Sequence, residues 1–158
     1  MSLKPLALLL SSAAMLSACA SAPQGEPMTW GYAAAAGPEG PKLAFGVDET
    51  DYLAVMFSCD PMTGSVKFDI PIGEGANVSA VKLHSGGLAR RYEPFVSAEA
   101  DGVEAGHYQT DRTDPVLRTF AKSGRLSLNV HGGFVSHDVK TLSERDAVAH
   151  FAKACGLS

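Results

Sequence analysis

Leu53-Ala54-Val55-Met56-Phe57-Ser58-Cys59, followed after Asp60-Pro61-Met62-Thr63-Gly64 by Ser65-Val66-Lys67-Phe68-Asp69-Ile70-Pro71-Ile72, reads as a β-hairpin. Tyr52–Cys59 is almost wholly apolar, which predicts a central strand covered on both sides. Leu53, Val55, Phe57 and Cys59 would share one face, because alternate residues of a strand point the same way. The second stretch alternates cleanly, with Val66, Phe68, Ile70 and Ile72 inward and Lys67 and Asp69 outward. Proline and glycine in the intervening segment supply the turn.

Working outward, Leu43–Val47 is a short apolar run ended by the acidic turn Asp48-Glu49-Thr50-Asp51. Val78–His84, Ala89–Val96 and Val103–Thr110 read as further strands, separated by Ser85-Gly86-Gly87 and Ser97–Gly102. Asp114-Pro115 predicts a helix start, since aspartate accepts from free N–H groups and proline suits the first helical position. Val116, Leu117 and Phe120 give that helix an apolar face, and Gly124 can close it. Leu126, Leu128 and Val130 then alternate with polar residues, and Phe134–Thr141 follows a turn at His131-Gly132-Gly133. Ser143-Glu144-Arg145-Asp146 has the form of a helix cap, opening a final helix that runs to Cys155. Seven or eight strands with one short internal helix and a C-terminal helix predict a mainly β fold, an antiparallel β-sandwich or small barrel.

The chain begins MSLKPLALLLSSAAMLSAC, one positive charge at Lys4 and an apolar run Pro5–Ala18. That run is shorter than the ~20 residues of a membrane-spanning helix, and has the layout of a secretion signal. Leu16-Ser17-Ala18-Cys19 resembles the lipobox of bacterial lipoproteins, which implies removal of residues 1–18 and acylation of Cys19, for example with palmitate. Three acyl chains exceed the two signals needed for stable anchoring. Ala20, which is not the aspartate that retains such proteins in the inner membrane, implies attachment to the outer membrane with the domain in the periplasm. Residues 19–27, ending in the polar and proline-containing Ser21–Pro27, read as a lipidated tether, and residues 28–158 as one domain. The formal net charge of −4 gives no support to nucleic-acid binding, which favours a basic face.

With Cys19 assigned to lipid, Cys59 and Cys155 remain as a pair in an oxidising compartment. Cys59 lies on the inward face of its strand. Val148, Phe151, Ala152 and Cys155 form one helical stripe, so both thiols point at the core. A structural disulfide is expected, and no Cys-x-x-Cys motif suggests redox catalysis.

Few residues suggest chemistry. His131 and His137 flank a hairpin turn and could ligate zinc or copper. Their spacing fits no metal motif, no third ligand is evident, and His137 alternates with Val135 and Val139 as a core residue would; no metal and no cofactor is assigned. His84, His107 and His150 read as surface or edge positions. Asp48, Glu49 and Asp51 lack the ligand run of an EF-hand loop and read as a solvated turn. No Gly-x-Ser-x-Gly elbow and no His-Glu-x-x-His occurs, so no catalytic residue is assigned and the chain is not read as an enzyme. Arg90-Arg91-Tyr92 is the candidate partner-binding edge, arginine and tyrosine being enriched at binding hot spots; the competing reading is a solvated strand with gatekeeping charges.

Val116–Gly124, Leu126–Val130 and Val139–Leu142 leading into a helix with Phe151 resemble the invasion-associated locus B proteins. That resemblance implies a secreted, β-rich protein without assigned catalysis. Ser85-Gly86-Gly87 and Arg91-Tyr92 are similar in fragments to the membrane-anchored lysozyme inhibitors, which implies inhibition of a cell-wall hydrolase as an alternative. The expectation is a lipid-anchored periplasmic protein that binds an envelope protein or another envelope component, with a cell-wall enzyme as the rival class.

Overall fold

The computed structural model describes residues 25–34, 40–72, 78–95, 105–130 and 133–158. Cys19, the signal-like segment, most of the tether, the Ser97–Gly102 turn and His131 lie outside the described residues. The elements are β1 (Thr29–Ala33), β2 (Lys42–Gly46), β3 (Leu53–Asp60), β4 (Ser65–Pro71), β5 (Val81–Ser85), β6 (Leu88–Tyr92), β7 (Ala105–Asp111), α1 (Pro115–Ser123), β8 (Ser127–Val130), β9 (Gly133–Ser136) and α2 (Leu142–Cys155). They form two antiparallel sheets, ordered β1-β2-β3-β4-β7 and β6-β5-β8-β9. The fold is mainly β, of sandwich type, and the described strands form no closed barrel.

The β3–β4 hairpin sits in the middle of the larger sheet, with Phe57 opposite Phe68 and Cys59 opposite Val66. Val55, Phe57, Cys59, Val66, Phe68 and Ile70 are all buried, as the alternation requires. Val81, Leu83 and Leu128 of the smaller sheet belong to the same core, and Tyr92 meets Phe68 edge-on at 5.1 Å. α1 packs on β5 and β6, α2 on β1 and β2.

β1 departs from the sequence reading, which starts its strands at Leu43. It pairs with β2 and buries Trp30 against Phe45, Phe57 and Phe120. The Trp30 indole N–H donates to the His137 carbonyl at 2.8 Å, and its backbone N–H donates to Glu144 Oε1 at 3.3 Å. A five-residue strand with one deeply buried residue has too little alternation to declare itself; Trp30 is fixed by what it touches.

The helix starts are one agreement and one correction. Asp114 caps α1 and Gly124 closes it at φ 68°, its N–H donating to the Phe120 carbonyl. α2 is capped by Thr141, not Ser143. Thr141 stands three residues before Glu144, so hydroxyl and carboxylate each take the other's backbone N–H. A cap at Ser143 would forfeit that reciprocity. Burial opposes ionisation of Glu144, but the N–H groups of Lys140, Thr141 and Trp30 and the Thr141 hydroxyl outweigh it and hold the carboxyl below its ordinary range.

Cys59 and Cys155 are joined in a disulfide between β3 and α2, their Cα atoms 5.8 Å apart and 96 residues apart in sequence. In the chain-entropy model a loop of this length contributes about 4–5 kcal/mol.

Candidate functional site

The face of β3 turned away from the core is not covered by another layer of described strands or helices, contrary to the sequence reading. The alternation that buries Phe57 and Phe68 sends Met56, Ser58, Lys67 and Asp69 the other way. Registration across the sheet then composes two rows. One runs Lys42, Ser58, Lys67, Gln109; the next runs Ala44, Met56, Asp69, His107. All of these except Ala44 line a hollow of about 780 Å³, which Asp60 and Thr63 of the β3–β4 turn and Phe95 also line.

Asp69 and His107 form a hydrogen-bonded pair within it. Nδ1 of His107 lies 2.7 Å from Asp69 Oδ1, and both side chains stay about a quarter exposed, at 28% and 27%. An ionised carboxylate only accepts hydrogen bonds, so Nδ1–H is the donor, and in the Nδ1–H tautomer Nε2 is the acceptor. Phe95 stands beside the pair, ring centres 6.1 Å apart. Its backbone N–H donates to the His107 carbonyl at 3.0 Å, and Pro94 bridges to Tyr108, so the backbone that carries the ring is tied to β7. Lys42 and Lys67 are matched in charge by Asp60 and Asp69, which leaves the hollow polar and near neutral.

A histidine oriented by an aspartate is half of a nucleophile-activating arrangement. The nearest serine on this face is Ser58, on β3, with β4 lying between it and His107 on β7. Strands two apart are separated by about 10 Å, whereas base and nucleophile must meet within hydrogen-bond reach. The geometry supports holding a ligand better than activating that hydroxyl. Among the described residues no group of three His, Cys, Asp or Glu side chains could hold a metal ion.

The candidate partner-binding residues are placed differently from one another. Arg90 donates to Asp114 Oδ2 at 2.8 Å, as do the Tyr92 hydroxyl and the Thr110 hydroxyl at 2.9 Å. The other oxygen of Asp114 accepts from the Val116 and Leu117 N–H groups. Asp114 is fully buried, so five donors neutralise one buried carboxylate. Burial, then the charge of Asp114, pushes the Tyr92 hydroxyl far above the usual phenol range. Arg90 and Tyr92 thus hold the smaller sheet to the start of α1. Arg91 points to solvent and pairs with Glu93 at 2.7 Å.

Ser85, next to the glycine turn, is buried; its hydroxyl donates to the Arg125 carbonyl at 2.7 Å, so the turn does not present it. His137 is buried, but not through alternation, since Val135 is 53% exposed; its ring lies tilted beside Phe45, centres 4.6 Å apart, and its Nδ1 lacks a hydrogen-bond partner. Burial pushes its imidazole below the ordinary value while neighbouring Asp138 pulls the other way.

Asp69 and His107 escaped the sequence reading as a pair because they are 38 residues apart and neither belongs to a local motif. Only the β4–β7 register joins them. Comparison with protein-family models, with curated proteins and with solved structures finds no match to this chain.

Proposed function

We propose that this protein is a lipid-anchored binding domain of the bacterial envelope, held at the outer membrane by acylated Cys19 and acting in the periplasm without catalysis. The lipobox-like Leu16–Cys19 supports the anchor. The observation that carries the binding role is the hollow on the open face of the larger sheet, where polar groups converge around an oriented Asp69–His107 pair. The cluster at Arg90 and Tyr92 is occupied internally, which moves the proposed binding face to the opposite side of the larger sheet from its core.

Metabolic labelling with an alkyne analogue of palmitate, followed by membrane fractionation, tests the anchor. The wild-type chain is expected to carry label and sediment with outer membranes, and Cys19→Ala to lose both. Equal labelling of C19A, or a wild-type chain recovered in the soluble fraction, overturns this reading.

A further inference from the structure

We infer that the hollow on the open face of β3, β4 and β7 is a saccharide-binding site, shaped for a short run of neutral sugar rings. The inference rests on the envelope-binding reading above and names its ligand class.

Three features point to that chemistry. The first is the mixture of hydrogen-bonding groups. His107 Nε2 and Asp69 Oδ2 accept, Lys67 donates, and the Ser58 hydroxyl and Gln109 amide do both. A sugar hydroxyl is itself both donor and acceptor, so a polyhydroxylated ligand can satisfy all of them; an anion would meet Asp69 and a cation Lys67. The Nδ1···Oδ1 contact of 2.7 Å fixes imidazole and carboxylate relative to one another before a ligand arrives. The second feature is charge balance between lysines and aspartates, which disfavours a polyelectrolyte such as nucleic acid. The third is Phe95, 38% exposed and anchored through its backbone to β7. The negative face of an aromatic ring complements the weakly positive C–H face of a pyranose.

Size and placement agree. At about 780 Å³ the hollow lies within the usual range for small-molecule sites. Its floor is a hydrogen-bonded sheet, so the polar groups are pre-positioned by the strand register and need little ordering on binding. A peptide ligand would be read through an open strand edge or apolar pockets, whereas this site lies on the flat of the sheet and its polar groups are side chains.

Isothermal calorimetry on the full acylated chain in detergent micelles provides the test, with chitotetraose, cellotetraose and maltotetraose as probes and tetra-alanine as the peptide control. At least one tetrasaccharide is expected to bind, with affinity lowered about tenfold by Asp69→Asn and by Phe95→Ala. Arg91→Ala, on a different surface, should stay within about twofold. Thermal melts of each variant show whether the fold is intact; should F95A fail to fold, D69N alone decides. Absence of binding to all three sugars, binding that D69N leaves unchanged, or binding of tetra-alanine in their place overturns the inference. Co-sedimentation of the wild-type chain with purified sacculi separates the two proposals. Sedimentation without any sugar binding rejects the saccharide site and leaves the envelope-binding role standing.

Discussion

Asp114 and Asp69 each face a basic side chain at hydrogen-bond distance, yet the two clusters are built in opposite ways. Asp114 is sealed from water and receives five donors. Asp69 shares one short contact with His107 and both remain about a quarter exposed. A closed cluster must be fully satisfied, because an unpaired buried charge is costly; such a cluster stabilises the fold and has nothing left for a ligand. An open cluster contributes little stability, since water competes for its groups, and keeps polar atoms for something that arrives. Burial separates a carboxylate fully committed to the fold from one that keeps its polar atoms open, where residue type does not.

The difference is best broken at Asp114. Asp114→Ala strands Arg90, Tyr92, Thr110 and two helix N–H groups, and should destabilise by about 3–5 kcal/mol, measured by urea unfolding. Tyr92→Phe removes one donor to a charged group and should cost about 1.5–3 kcal/mol in the same experiment. Asp69→Ala should cost less than about 1 kcal/mol; a loss as large as that of D114A would erase the distinction.

Titration sharpens the contrast further. The folded-state value of Tyr92 is raised above the 10.0 of a free phenol. The unfolded chain therefore loses its proton first, and the stabilisation, complete below pH 10, is lost as pH rises beyond it. Y92F should flatten that alkaline limb. His137 acts at the other end. Its folded value lies below 6.5, so the unfolded state binds the proton first and stability declines as pH falls from 6.5 towards the folded value. Unfolding curves between pH 7 and 4.5 should show this slope in the wild type and lose part of it in His137→Phe; an unchanged slope would remove His137 from the acid response.

Much of the fold was legible from short-range pattern. The β3–β4 hairpin, the Asp114 and Gly124 ends of α1, the apolar stripe of α2 and the Cys59–Cys155 bridge follow from alternation, capping chemistry and helical spacing. Each depends on residues near one another in sequence or on a parity of two thiols. β1 was missed because Trp30 is held by partners more than a hundred residues away. The α2 cap was misplaced at Ser143 because two hydroxyl residues offer similar local patterns, and the reciprocal bonds with Glu144 select Thr141. The candidate site was least legible. Lys67 and Asp69 read correctly as outward residues, yet outward alone does not separate a solvated face from a hollow.

The sequence by itself determined the inward faces of the β3–β4 hairpin and the buried stripes of α1 and α2, because apolar periodicity is written residue by residue and the hydrophobic effect acts on each in turn. It also determined the bridged cysteines and the lipobox-like start. Only the tertiary structure decided which polar residues meet. Sheet register sets Asp69 against His107 and packing of α1 drives Asp114 into the core, and both depend on contacts between segments whose local sequences carry no record of each other.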